Sequence, residues 1–208
     1  MGFRQKVLKN LVDQGYNVLT SDVDSIWLSY KNVDDLIESL RKLNQNVNVD
    51  IINSDSGTSW PKTAFKSFGF TVSGGFLGYK STENTKNFLK KLAEVCDLKK
   101  CDDQAEINNL YLEMGMKFDE NGVGKSVKKA GRGVVEELNV FVLDEKLVKR
   151  GKIDSDVCDA DNHPWVISPH KNVGNFIESH HVDTKLSFLN EFSNCFKSDV
   201  KNIHISSV

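Results

Sequence analysis

The pattern of hydrophobic and polar positions predicts a chain in which helices and strands alternate. Apolar side chains recur at helical spacing from Phe3 to Val12, and Gly15 is placed to end this helix. Residues 16–20 then have the composition of a short strand, which stops before Asp22. Further helices are predicted at residues 32–43, 85–95, 103–114 and 184–196. Further strands are predicted at residues 47–52, 71–79, 138–143 and 165–168.

Such alternation is typical of an α/β domain, in which helices cover a sheet. Residues 54–69 and 119–137 are polar or Gly-rich, and they are expected to be loops. The strand at 71–79 contains Gly74 and Gly75, which favours a bulge or a close approach of the backbone to a ligand. We therefore expect a single α/β domain over residues 1–208, with a mixed sheet.

Composition narrows the class of function. The chain has 208 residues, with 27 Lys and Arg against 29 Asp and Glu. This balance argues against bulk nucleic-acid binding, which needs an excess of cations to neutralise phosphates. No apolar run approaches the roughly 18 residues of a membrane span, so no membrane segment is expected in this chain.

The four cysteines are Cys96, Cys101, Cys158 and Cys195, and none forms a Cys-x-x-Cys pair, so a zinc site of the usual spacing is not expected. Reduced, partly buried thiols are the favoured interpretation. Cys96 and Cys101 are close enough in sequence to bridge a short loop instead, which would need an oxidising compartment.

The clearest chemical signal is an acidic pair, Asp22 and Asp24, at the end of the strand at 16–20. Ligands of open α/β sheets bind beyond the carboxyl ends of strands. Mg²⁺ and Mn²⁺ prefer oxygen ligands and often share them with phosphates, so the pair suits a cation that binds a diphosphate. The alternative is a solvated acidic turn. The pairs Asp154/Asp156 and Asp159/Asp161 also match Asp-x-Asp, but neither follows a hydrophobic strand.

A second group lies at the start of the helix at 103–114. An Asp there is often only a cap for free backbone N–H groups. Asp103, Gln104 and Asn108 would nevertheless lie near one helix end, where a carboxylate and amides suit the binding of sugar hydroxyls.

A third group follows the late strand. His170 can ligate a metal through a neutral ring nitrogen, and Lys171 can meet a phosphate. A lone His is more often structural.

Four segments in order carry a resemblance to a known family: VLTSDVDSIWL (18–28), SGGFLGYKS (73–81), DDQAEIN (102–108) and SPHKNVG (168–174). Together they resemble the nucleotide-diphospho-sugar transferase family, whose members include relatives of plant cell-wall xylosyltransferases. The resemblance covers most of residues 1–192. It implies a GT-A glycosyltransferase fold with a Rossmann-like mixed sheet flanked by helices.

The resemblance implies a metal-dependent transfer of a sugar from a nucleotide diphosphate, expected to be a UDP-sugar, to an acceptor hydroxyl of a glycan or protein. Asp22, Asp24 and His170 would hold Mn²⁺ or Mg²⁺, which neutralises the diphosphate leaving group. Lys171 and Gly174 would lie on the phosphate side. Related enzymes generally retain anomeric configuration. In a eukaryote the resemblance implies a Golgi-lumen location.

The remaining site residues are implied on the sugar side of the donor. Asp103 would hold donor hydroxyls and Gln104 would lie by the reacting carbon, which makes these two the expected catalytic residues. Asn108 completes the motif and is expected to help to bind the donor, and Gly74 and Gly75 would let the backbone approach the donor sugar.

Two departures from the family pattern affect these expectations. Only 21 residues precede Asp22, so the earliest β-α units are expected to be missing and the domain to be abbreviated at its N-terminus. Family members also often have a Lys soon after the late His-Asn-Gly stretch, where this chain has residues 176–179 without one. Lys171 or Lys185 would have to substitute.

Two other functions remain open. Haloacid-dehalogenase-like phosphatases also begin with Asp-x-Asp after a strand, with Asp22 as nucleophile and Asp24 as acid or base. In that case Asp102 and Asp103 should close a strand, whereas they are predicted to open a helix. The other alternative is a non-catalytic domain that binds a sugar nucleotide or stabilises a partner.

Overall fold

A computed structural model of the chain describes residues 3–22, 25–27, 49–98, 101–120, 122–126, 129–130, 134–135, 137–143, 147–150 and 166–168. Within these ranges the helices are α1 (Phe3–Asp13), α2 (Lys62–Phe68), α3 (Glu83–Leu98) and α4 (Asp103–Glu113). The strands are β1 (Val18–Ser21), β2 (Ile26–Trp27), β3 (Ile51–Asp55), β4 (Val72–Tyr79), β5 (Lys117–Phe118), β6 (Val123–Lys125), β7 (Lys129–Ala130), β8 (Val134–Val135), β9 (Asn139–Leu143), β10 (Val148–Arg150) and β11 (Val166–Ser168).

The central feature is a six-stranded sheet with the order β1-β4-β3-β9-β6-β5. β3 and β9 are parallel, and the other neighbours are antiparallel, so the sheet is mixed. Two smaller sheets have the orders β10-β11-β2 and β7-β8. The predicted α/β class with a mixed sheet flanked by helices is confirmed, in agreement with the GT-A-like fold that the resemblance implied.

The sheet is apolar on both faces because successive side chains of a strand point to opposite sides. Ile51 of β3 belongs to the main core cluster, which packs against α1, α3 and α4, whereas its neighbour Ile52 faces a smaller cluster. The side chains of β9 alternate in the same way, since Val140 lies in the main cluster and Phe141 packs against the smaller one. This double burial explains why β9, whose sequence is NVFVL, is a short apolar run after its first residue.

β4 is the strand that was expected to be interrupted by glycines. It is continuous over Val72–Tyr79 and buried along its whole length. Its pairing with β3 is irregular, because Asn53 lies opposite Leu77 while Asp55 lies opposite Val72. The expected bulge is therefore present, in the part of β4 that contains both glycines.

The two predicted loops contain regular structure. β3 extends to Asp55, and residues 54–69 also include the whole of α2, which ends at Gly69 in a left-handed conformation with φ 84°. A helix of seven residues, about two turns, is too short to show a clear helical period, although a Pro before the helix and a Gly after it are typical end signals. Residues 119–137 likewise include β6, β7 and β8.

The expectation of reduced thiols is wrong for one pair of cysteines. Cys96 in α3 and Cys101 just before α4 form a disulfide, with their Cα atoms 4.7 Å apart. Both are buried in the main core cluster. This bridge was the alternative that the sequence left open. Cys158 and Cys195 lie outside the described residues.

The other predicted elements agree with the structure to within a few residues, as for α1, β1, α3, α4, β9 and β11. The strand predicted at 47–52 begins later, at Ile51. The helices predicted at 32–43 and 184–196 lie outside the described residues. Among the described helices, none has both the length and the apolarity that a membrane span requires. A single domain over the whole chain stays a prediction.

Candidate active site

β1 brings Asp22 to the edge of the candidate site. Val18 and Leu19 pack against the two core clusters, so the strand is anchored on both faces. Just past its end, the backbone N–H of Asp22 donates to Gly75 O of β4 at 2.8 Å, and Asp22 O accepts from Ser25 N at 3.0 Å. The Asp22 side chain remains 36% exposed. The carboxylate therefore stands at the carboxyl end of a strand, as predicted.

Asp103 opens α4, but it is not the capping residue. Asp102 performs that function, since its side chain accepts from Ala105 N at 3.1 Å. Asp103 Oδ1 accepts from the backbone N–H of Gln104 at 2.9 Å, which fixes one carboxylate oxygen. Because α4 begins at Asp103, this acidic pair opens a helix as predicted, and it does not close a strand as the phosphatase motif would require.

Gly74 of β4 lies directly against Asp103. A Cβ atom at this position would be 2.9 Å from Asp103 Oδ1 and 3.3 Å from Gln104 N. No side chain fits there unless the carboxylate moves. The backbone at Gly74 therefore closely approaches Asp103, whereas its close approach to a donor sugar stays a prediction.

One guanidinium joins the two carboxylates. Arg4 Nη1 is 3.1 Å from Asp103 Oδ2 and 3.6 Å from Asp22 Oδ1, while Arg4 Nη2 donates to Thr20 Oγ1 at 3.0 Å. α1 thus supplies a cation that holds the end of β1 beside the start of α4. Gln5 adds a weaker contact, since its Nε2 donates to Asp103 Oδ2 at 3.4 Å.

Sequence reasoning missed Arg4 and Gln5. A signal was present, because Arg4 precedes Leu8 by four residues and Val12 by eight, and all three therefore lie on one helix face. Gln5 is only 3% exposed. Charged or amide side chains on the buried face of an amphipathic helix indicate a polar partner within the fold.

The pKa of Asp103 depends on its burial and on the neighbouring Arg4. Burial raises the pKa of Asp103 above its ordinary value of 3.8, while the nearby Arg4 guanidinium opposes the rise. Tyr79 is also buried close to this group, and burial raises the pKa of its phenol well above the ordinary value. Tyr79 Oη and Gln5 Oε1 have no hydrogen-bond partner among the described residues. A largely desolvated polar cluster therefore underlies Asp103.

Gln104 and Asn108 have different surroundings, although both lie on α4. The Gln104 side chain is half-buried, and its Nε2 donates to the backbone carbonyl of Trp60 at 3.2 Å. Asn108 is fully buried. Its Oδ1 accepts from Val72 N, and its Nδ2 donates to Val72 O and Gln104 O, at 2.8–3.0 Å. In the structure Asn108 fastens α4 to β4.

The structure thus brings together Asp22, Gly74, Gly75, Asp103 and Gln104. The other expected site residues lie outside the described residues: Asp24, His170, Lys171 and Gly174. Within the described residues, no group of three or more His, Cys, Asp or Glu side chains could hold a metal ion. Of the three expected metal ligands only Asp22 is described, and its half-exposed oxygens fit a hard cation.

Protonation of Asp103 should couple to stability. A pKa raised by folding means that the native state binds the proton more tightly than the unfolded state. The stabilisation that the protonated Asp103 gives to the folded state is therefore complete below pH 3.8 and is lost as pH rises through the folded pKa. The free energy of unfolding of the wild type should therefore fall relative to Asp103→Asn over that window, as measured by urea denaturation at several pH values.

Arg4→Gln should extend this pH window upward, because the guanidinium lowers the pKa of Asp103 more than the other lowering influence, the hydrogen bond from Gln104 N–H. A wild type that gains stability relative to Asp103→Asn as pH rises would contradict this assignment.

Comparison with known proteins identifies the family of the chain. A family model described as nucleotide-diphospho-sugar transferase matches residues 1–187. No curated protein and no solved structure matches the chain significantly. The family match includes the strand that presents Asp22, the glycines of β4, and the start of α4. The chain therefore belongs to the nucleotide-diphospho-sugar transferase family.

Proposed function

We propose that the chain is a metal-dependent glycosyltransferase that moves a sugar from a UDP-type donor to an acceptor hydroxyl with retention of anomeric configuration. Family membership supports a nucleotide-sugar transferase in general. The observation that carries the finer proposal is the Arg4 bridge between Asp22 and Asp103. It places a carboxylate suited to a cation next to a carboxylate and an amide suited to a sugar.

The diphosphate end of the donor would lie at Asp22. Asp22, Asp24 and His170 would hold Mn²⁺ or Mg²⁺, and the bound cation would stabilise negative charge on the leaving diphosphate. Lys171 and Gly174 would contact the phosphates from the same side. The half-exposed Asp22 carboxylate fits this role, because few protein ligands and several phosphate or water oxygens complete such sites.

The sugar end would lie at Asp103 and Gln104. Arg4 and Gln5 hold Asp103 Oδ2, and Gln104 N holds Oδ1, so the carboxylate is fixed before a donor arrives. A fixed carboxylate can accept hydrogen bonds from sugar hydroxyls without first losing conformational freedom. Gln104 would lie beside the reacting carbon. Asn108 would act indirectly, by holding Gln104 O and β4.

The Cys96–Cys101 disulfide bears on where such an enzyme would work. Disulfides persist in oxidising compartments and are rare in the cytosol. A Golgi-lumen location would meet that condition, and we include it in the proposal.

Donor binding can be tested with UDP and Mn²⁺ by thermal denaturation. At ligand concentrations about 100 times the Kd, the wild type should gain roughly 5 °C or more in Tm. Asp22→Asn should lose most of that gain while its ligand-free Tm stays within a few degrees of the wild type, because a half-exposed ion pair contributes little stability.

Asp97→Asn is the matched control. Asp97 also pairs with a cation of α1, since Lys6 Nζ lies 2.9 Å from Asp97 Oδ1, but it takes no part in the candidate site. It should keep the full gain in Tm. An undiminished gain in Asp22→Asn would remove Asp22 from the site. A wild type without any gain, and without turnover of UDP-sugars, would favour a non-catalytic domain.

Gly74→Ala tests the sugar end separately. The added Cβ would displace Asp103 and the first turn of α4, so release of UDP from a panel of UDP-sugars should fall about 100-fold. The gain in Tm with UDP and Mn²⁺ should persist, because Asp22 is untouched. Gly78→Ala, on the same strand, meets Ile52 Cβ at 3.4 Å and should keep near-normal turnover. Equal turnover in both variants would contradict the role given to Asp103.

A further inference from the structure

The Cys96–Cys101 disulfide is joined through the backbone to the sugar end of the candidate site. Cys101 is followed directly by Asp102 and Asp103. The Asp102 side chain caps α4 by accepting from Ala105 N at 3.1 Å. At the other end of the bridge, Cys96 belongs to α3. The bridge therefore attaches the chain to α3 two residues before the carboxylate that we assign to the donor sugar.

The elements on either side of the bridge are anchored away from it. Cys96 belongs to a helix of 16 residues whose apolar face lies in the main core cluster. The body of α4 is held one turn beyond its start, where Asn108 exchanges hydrogen bonds with both backbone polar groups of Val72. Cys101 and the first turn of α4 lie between these two anchors. A change at the bridge is therefore accommodated mainly in the first turn of α4.

Opening the bridge changes the room that the pair of cysteines needs. Cys96 is 4% exposed and Cys101 is 6% exposed, and both belong to the main core cluster. Two thiols cannot approach each other as closely as two bonded sulfur atoms. A close-packed interior has little free volume to receive the difference. We therefore expect the dithiol form to displace the start of α4.

The sugar end tolerates little displacement. The closeness of Gly74 to Asp103 Oδ1 and to Gln104 N shows that β4 packs directly against the start of α4. The hydrogen bond from Arg4 Nη1 to Asp103 Oδ2 is 3.1 Å long, and a shift of about 1 Å would break it. A misplacement of that size can lower the rate of a reaction about 100-fold. By contrast, Asp22 follows β1, which is not part of the bridged segment.

We propose that the Cys96–Cys101 pair regulates the candidate site, with a formed sugar end in the disulfide form and a displaced one in the dithiol form. This inference rests on the proposed function. Oxidation forms the bond between the two Sγ atoms and transfers two electrons and two protons to a small disulfide such as oxidised glutathione, which becomes two thiols. An oxidising compartment would thus complete the site, and a reducing one would leave the enzyme with little activity.

The test compares the full chain in its disulfide and dithiol forms. Dithiothreitol reduces the bridge, is removed without air, and a thiol titration verifies the opening. Release of UDP from the panel of UDP-sugars should fall about tenfold or more, and oxidised glutathione should restore it. The gain in Tm with UDP and Mn²⁺ should persist, because Asp22 lies outside the bridged segment. Equal turnover by the two forms would overturn the inference.

Cys158→Ser/Cys195→Ser is the matched control, because it leaves Cys96 and Cys101 as the only cysteines. It should lose turnover on reduction as the wild type does. Cys96→Ser/Cys101→Ser should not respond to dithiothreitol. A response that disappears in the first variant, or persists in the second, would assign the sensitivity to the other two cysteines and overturn the inference.

Backbone amide spectra of the ¹⁵N-labelled chain separate a local effect from a general loss of structure. On reduction the amides of Asp103 and Gln104 should shift, whereas the amide of Gly124 in β6 should not. Shifts throughout the spectrum, or a dithiol form that loses the gain in Tm together with turnover, would make the bridge a general stabiliser and overturn the inference.

The disulfide form of the wild type keeps the two proposals distinguishable. If it shows neither turnover nor a gain in Tm, the proposed function and this inference are contradicted together. If it shows both, and the dithiol form has the same turnover, this inference alone is contradicted.

Discussion

The Arg4 guanidinium, set between Asp22 and Asp103, is the interaction on which the candidate site depends. The two carboxylates come from elements distant in sequence, and Arg4 of α1 contacts both. The bridge contributes little to stability, because both of its ion pairs are part-exposed and such pairs are typically worth about 0–1 kcal/mol. Its importance is geometric. It holds the end of β1 beside the start of α4, and it compensates part of the burial of Asp103.

Other contacts of the fold fix the position of Asp103 and of the first turn of α4. The irregular part of β4 brings Gly74 against Asp103, and Asn108 fastens α4 to the same strand through Val72. On the far side, the Cys96–Cys101 disulfide joins α3 to the residue just before the Asp102 cap. The first turn of α4 is thus fixed on both sides. A partly desolvated carboxylate held this firmly is the combination that often marks a functional site.

Periodicity was enough to predict the elements that bury apolar residues. α1, α3, α4, β1 and β9 follow from it directly, because each has a face or a run long enough to show a period. The strands β6, β7 and β8 could not be predicted because they are only two or three residues long, and α2 could not because its residues are organised by contacts with the rest of the fold. Phe118, for example, packs edge-on against Phe68 and Phe70, which are distant from it in sequence.

The site residues also divide into those that local sequence patterns predict and those that depend on tertiary contacts. Strand ends and helix starts are visible in a sequence, so Asp22, Asp103 and Gln104 could be selected as candidates. Their connection through Arg4 could not, because it depends on how α1 crosses the ends of β1 and α4. Asn108 was selected for its spacing from Gln104. In the structure its side-chain amide is buried and donates hydrogen bonds to Val72 O and Gln104 O. Asp24, His170, Lys171 and Gly174 stay predictions.

The central claim is that a cation bound at Asp22 lies next to the start of α4. Paramagnetic broadening in the ¹⁵N-labelled chain measures this directly when Mn²⁺ is added with UDP, with Mg²⁺ as the diamagnetic reference. We expect the strongest broadening at the backbone amide of Asp22, followed by the backbone amides of Gly75 and Gly74 and the side-chain amide of Gln104. The amide of Gly124, four strands along the sheet from β1, should broaden least. Broadening that is uniform, or that centres away from these groups, would contradict the central claim.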